Sequence, residues 1–292
     1  MLLLAGVATA LATGLGAVPV WLLGESAERL RPGLWGVTIG LMGVASVVGL
    51  LEPALDTGST ATVAIGCAAG VAFLLMSRRR LDRRHATVPG LTGPGGTRSV
   101  LVFGVLLVHS LPEGLAIGTA YASDTAGLSL FVILAIALQN VPEGTSVAIP
   151  MDAAGFSRTR QFWAAVATSA PQPVGALIAY ALVEQIDALL PASFAFAAGA
   201  MLALVVVELA PQAFARGGRL LALTGTVSGG TLMVALALLV GKEGEQAPVP
   251  RVEVEVALGL VVEVRLLEHE RHPQEPLPEV DRRLAVGSHD RD

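Results

Sequence analysis

His109-Ser110-Leu111-Pro112-Glu113-Gly114 and, thirty residues further on, Gln139-Asn140-Val141-Pro142-Glu143-Gly144 are two versions of one stretch. Each lies inside a long apolar run, Ser99 to Ala120 and Leu128 to Pro150. A carboxylate near the centre of a membrane helix costs about 2.5–3.5 kcal/mol on insertion scales, so one that is kept there marks a functional position. A single buried glutamate is also readable as a protonated group that ties two helices together. Two copies, each behind a proline and before a glycine, read instead as one site built from two helices.

Residues four apart share a helix face, so His109 points with Glu113 and Gln139 with Glu143. Ser110 and Asn140 lie about 100° round but only three residues from the carboxylates, within reach of the far side of the same ligand. Each proline removes a backbone hydrogen bond and pushes away the carbonyl four residues back, here Val108 and Leu138. Gly114 and Gly144 are expected to let the two helices approach closely. Imidazole, carboxylate and amide oxygen together suit a divalent transition metal of the zinc type and not a magnesium cage. Such ligands bind in their deprotonated forms, so loading is expected to fall as pH drops.

The rest of the chain matches a membrane setting. Of its 292 residues 53% are hydrophobic and 15% charged, and mean hydropathy is +0.67. That composition describes a polytopic membrane protein and excludes an ordinary soluble domain. A net charge of -5, with half of the acidic residues in the last fifty, does not suggest nucleic acid as a partner. The one cysteine, Cys67, excludes an internal disulfide framework and any paired-cysteine metal site.

Eight spans are expected: Met1 to Leu23, Leu34 to Leu51, Thr60 to Met76, the two motif-bearing runs, Phe162 to Val183, Pro191 to Ala215 and Leu220 to Val240. In the first, Thr13 to Pro19 reads as a packing and kink segment. Glu52 and Asp56 are expected to end the second span and open an acidic loop. Trp21, Trp35 and Trp163 fall near span ends, where aromatic anchors gather. In the sixth span Ser169-Ala170-Pro171-Gln172-Pro173 predicts a broken helix with Gln172 facing a cavity or neighbour. Glu208, three residues before Pro211, is a third carboxylate inside a span.

The arginines orient this map. Loops 1–2, 3–4, 5–6 and 7–8 hold Arg29, Arg31, the basic loop 78–98, Arg158, Arg160, Arg216 and Arg219; the other loops carry acids and no Lys or Arg. The positive-inside rule then predicts both termini outside the cytoplasm. The fourth and fifth helices run in opposite directions, making their motifs a central inverted pair at mid-membrane depth, as secondary transporters build substrate sites. Residues 1–242 form the membrane domain on this reading. Residues 243–292, rich in Glu, Pro and Arg, read as a polar, disordered extracytoplasmic tail; within it Val252 to Val264 alternates valine and glutamate like a strand, and His269, His272 and His289 are scattered.

This pattern resembles the ZIP (Zrt/Irt-like) metal transporter family, on its prokaryotic, GufA-like branch, over about residues 8 to 240. Besides the paired motifs, the resemblance is carried by Thr13–Pro19, Gly40-Leu41-Met42, Gln172-Pro173-Val174-Gly175-Ala176 and Ala197-Ala198-Gly199-Ala200-Met201 running to Glu208. It implies an all-α, eight-helix plasma-membrane protein, not an enzyme, with no cofactor. Its cargo would be Zn2+, or Cd2+, Fe2+ or Mn2+, carried toward the cytoplasm between the fourth and fifth helices. It implies His109, Glu113, Gln139, Glu143 and Met42 as the first metal position. Ser110, Asn140 and Gln172 would form a second, with Glu208 toward the exit. Ser110 stands where the family commonly has Asn, and Gln172 where Glu is expected, so one dominant metal site is expected rather than a tight pair. The resemblance is compatible with a homodimer, although no interface is legible. Three rivals stand beside transport of metal: an intramembrane metalloenzyme, a proton-coupled carrier of another solute using the three glutamates, and a metal sensor or scaffold without flux. Against the first, His109 is the only histidine in any expected span, and catalytic metals usually take three strong protein ligands.

Overall fold

The computed structural model describes residues 1–24, 26–83, 94–123, 125, 127–215 and 218–241, with the side chains of 82, 83, 94–102 and 241 outside that description. Among the described residues there is no strand, and eight helices are long and apolar enough to cross a membrane. They are α1 (Leu2–Leu23), α2 (Ser26–Thr57), α3 (Thr60–Leu81), α4 (Phe103–Ala122), α5 (Leu128–Ala153), α6 (Arg158–Gln185), α7 (Asp187–Ala213) and α8 (Arg219–Val240). The expected tail lies outside the described residues, as does the middle of the basic loop.

Several boundaries differ from the sequence expectation, for a common reason: charged residues extend the apolar helices past the hydrocarbon instead of ending them. The helix of α2 begins at Ser26, taking in Glu28, Arg29, Arg31 and Pro32. It continues through a π-helical turn, Val47–Leu51, into Glu52–Thr57, so Glu52 and Asp56 are helical and not in a loop. The helix of α3 continues to Arg83 and that of α4 begins at Pro94, so the arginines from Arg78 to Arg83 belong to a helix end. The breaks expected within spans are present at Gly16 in α1 and between Thr168 and Pro171 in α6. A second π-helical turn, Val205–Leu209, interrupts α7.

Small residues set the packing, as expected where helices gain no hydrophobic drive against lipid. Along α2 and α8, Gly36 and Gly40 face the backbone of Ala222, Thr226 and Gly229–Gly230, while Gly225 and Gly229 face Gly33 and Val37 in return. The α3–α7 pair repeats the device with Gly70 against Phe196 and Gly199 against Cys67. Gly114 and Gly144 correct an expectation. They do not bring α4 and α5 together: a Cβ on Gly114 would strike the Gln172 backbone of α6, and one on Gly144 the Thr13 carbonyl of α1. Each motif helix is thereby clamped to an outer partner, and the motifs' polar faces are left to meet each other. The main apolar core gathers Ile39 and Met42 of α2, Ile117 of α4, Ile136 of α5 and Phe194 and Met201 of α7.

Candidate metal centre

Both motif helices run unbroken through Pro112 and Pro142, so the four-residue spacing holds across each motif. His109 Nε2 stands 3.3 Å from Glu113 Oε1 and 3.9 Å from Glu143 Oε1 on the neighbouring helix. One ligand atom from each of His109, Glu113 and Glu143 lies within 4.8 Å of the others. Two ligands about 2.1 Å from a tetrahedral zinc are separated by about 3.4 Å, so these spacings are close to what a single ion requires. His109, Glu113 and Gln139 have no exposed surface, and Glu143 retains 4%.

Amides surround the carboxylates. Gln139 Nε2 donates to Glu113 Oε1 at 2.6 Å, and Gln172 Nε2 donates to Glu113 Oε2 at 2.5 Å. Asn140 Nδ2 donates to Gln172 Oε1 at 3.3 Å and to the Thr9 carbonyl at 2.8 Å. Both Glu113 oxygens are therefore held by neutral donors. Within the cluster, five buried polar atoms make no hydrogen bond to described residues: both ring nitrogens of His109, Gln139 Oε1, Asn140 Oδ1 and Glu143 Oε1. A buried polar group without a partner costs about 1–3 kcal/mol. Unpartnered imidazole, amide and carboxylate atoms gathered beside a second carboxylate, Glu113, are the chemistry that a divalent cation satisfies.

The remaining expected residues fall in three places. Asn140 and Gln172 join the cluster by the bonds above. Ser110 is buried, and its hydroxyl donates to the Leu106 carbonyl of its own helix at 2.9 Å. Met42 is fully buried in the apolar core with Ile117 and Ile136, which sit one turn from Glu113 and Gln139. Glu208 is engaged elsewhere: Arg78 Nε lies 3.2 Å from its Oε2, and Gln212 Nε2 donates to its Oε1 at 2.6 Å.

Sequence reading missed the supports contributed by other helices. Thr9 lends its carbonyl to Asn140, and the Thr13 and Ser169 hydroxyls share a hydrogen bond of 2.6 Å. Thr9 and Thr13, four apart on one face of α1, were the visible signal of a polar stripe. Trp35, expected as an interfacial anchor, is only 6% exposed and donates its indole N–H to Ser146 Oγ at 2.6 Å.

Comparison with known proteins identifies relatives of the chain. A family profile described as ZIP Zinc transporter matches residues 91–237. The zinc transporter GufA of Myxococcus xanthus is 34% identical over 251 residues, covering 82% of this chain and 98% of that protein. The zinc transporter ZIPB of Bordetella bronchiseptica is 33% identical over 249 residues, 82% of this chain and 81% of that one. A putative zinc transporter of Arabidopsis thaliana is 32% identical over 212 residues, 71% of this chain, which spans only 33% of that longer protein. With two spans that carry matched Pro-Glu-Gly motifs, a family profile matching half of the chain and one relative, GufA, aligned over nearly its whole length, the chain belongs to the ZIP zinc transporter family.

Proposed function

We propose that this protein moves divalent transition-metal ions, zinc foremost, across the membrane through the His109–Glu113–Glu143 cluster. The observation that carries the reading is the set of buried polar atoms without hydrogen-bond partners around those three residues. Two carboxylates offset the charge of a dication that could not otherwise enter low dielectric. Gln139 turns from donating to Glu113 to offering Oε1 to the ion, and Met42 adds a soft thioether at the apolar edge. Neutral amide ligands hold the ion less tightly than a thiolate cage, which suits release.

The same reading assigns Gln172 and Asn140 to positioning, not to a second full metal site. Gln172 places an N–H donor against Glu113 Oε2, where a second cation would require an acceptor. Both termini lie outside a plasma membrane on the strength of the arginine-rich loops, and cargo moves toward the cytoplasm as the ZIP resemblance implies. Glu208 stands on the exit side, paired with Arg78.

Zinc and cadmium uptake into proteoliposomes tests the proposal. Saturable, metal-dependent flux is expected. Tight zinc binding with no flux would replace transport by the sensor reading, and flux of another solute without metal would replace the cargo.

A further inference from the structure

The carboxylate cluster is buried, with His109 and Glu113 fully covered and Glu143 4% exposed. Toward the acidic-loop face it is covered by the apolar core that holds Met42, Ile117 and Ile136. Toward the other face, which carries Arg158 and Arg160, Thr145 turns its hydroxyl to the Gly16 carbonyl of α1, and Ser146 lies three residues and about 4.5 Å beyond Glu143 along α5. Ser146 Oγ accepts the Trp35 indole N–H at 2.6 Å and donates to the Pro142 carbonyl at 3.3 Å. Outward from Trp35, the Arg31 guanidinium lies 5.2 Å over the indole ring, and Arg31 pairs with Glu28 at 2.9 Å. Glu28, Arg31, Trp35 and Ser146 thus form a chain of contacts that ends on α5 within one helical turn of Glu143.

Trp35 links a helix of the α2–α8 pair to one of the α1–α5 pair, which also meet in the apolar core. Its helix is tied to α8 through the glycine contacts of Gly36 and Gly40, whereas Ser146 rides on α5, clamped to α1 at Gly144 and Gly16. Between described residues, Trp35–Ser146 is the one side-chain hydrogen bond that joins the α2–α8 and α3–α7 pairs to α1, α4, α5 and α6. A tryptophan serving as a membrane-interface anchor would face lipid, and this one is 6% exposed.

We propose that Trp35 is the inner latch of the pathway: its indole stands between the carboxylate cluster and the basic face, and the Trp35–Ser146 hydrogen bond must open for an ion to leave that way. This rests on the reading that ions pass through the cluster. Ile39, one turn deeper than Trp35 on the same helix face and 4% exposed, is shielded by the closed latch.

The test places a single cysteine at Ile39 in a Cys67→Ser background and measures its labelling by a membrane-impermeant thiol reagent from each face. Trp35→Phe keeps the ring and removes the donor; Ser146→Ala removes the acceptor. Each is expected to speed labelling from the basic face about two- to tenfold, the range that a net hydrogen-bond contribution translates into. Because both remove one bond, the double variant should match the single ones. Unchanged rates in both single variants, additive effects, or an equal rise from both faces would overturn the latch. A second measurement avoids the cysteine: zinc release from loaded, detergent-solubilised protein should quicken by a similar factor in both variants, and unchanged release would also overturn it. Labelling needs no metal, so a failed latch and a failed transport reading give different results.

Discussion

Glu113 and Glu143 have different surroundings, and that difference divides their work. Glu113 accepts one amide N–H on each oxygen, from Gln139 and Gln172, and is held in place before any ion arrives. Glu143 Oε1 has no hydrogen-bond donor, so it is the carboxylate with a lone pair ready for cargo. The Gln172 donor at Glu113 Oε2 leads to one zinc per chain at micromolar metal, measured by equilibrium titration with elemental analysis. Two ions per chain would contradict the role given to Gln172. Glu208 belongs to a different place, paired with Arg78 and Gln212. Glu208→Gln should therefore leave zinc affinity at the cluster within about twofold of wild type in the same titration, since charges that share no partner act independently.

At the scale of the helix, glycine decides which neighbours a helix can have. Gly144 lies so close to the Thr13 carbonyl that a methyl group there must push α5 off α1. Gly144→Ala should cost about 1–3 kcal/mol, as overpacking does, read as a lowered unfolding temperature in detergent. Gly43 has nothing within 4 Å of where its Cβ would stand. Gly43→Ala should leave stability unchanged or raise it by up to about 1 kcal/mol, because alanine is the better helix former. The contrast separates a packing effect from a general intolerance of α2 or α5 to change.

Helical periodicity explains what could be read in advance. His109 with Glu113, and Gln139 with Glu143, are relations within one helix, and a spacing of four residues shows them directly. Hydropathy exposed the eight spans, and proline pairs exposed the break in α6. The contacts that hold the cluster in position are relations between helices: Thr9 with Asn140, Trp35 with Ser146, Arg78 with Glu208. No periodicity within one helix encodes them. The glycines were legible as small residues, but not which helix each would meet. Span ends were misplaced where Arg31, Glu52 and Arg78 continue a helix beyond its apolar window, because hydropathy registers the hydrocarbon and not the end of the helix.

At the scale of the whole molecule, orientation and transport are the properties at stake. The arginine distribution leads to a sidedness in which single cysteines beside Arg158 or Arg219 react only with reagent supplied to the cytoplasmic face, and one at Asp56 only with reagent outside. Labelling of whole cells and inverted vesicles checks it, and a reversed pattern would contradict that sidedness.

The central claim is that metal crosses through the cluster at α4 and α5. Its most direct measurement is zinc and cadmium uptake into proteoliposomes by wild type and by Glu143→Ala, matched for reconstituted protein and for fold. The account predicts saturable uptake by wild type and at least tenfold less by the variant. Equal uptake by the two proteins would show that the ion takes another route and would contradict the account.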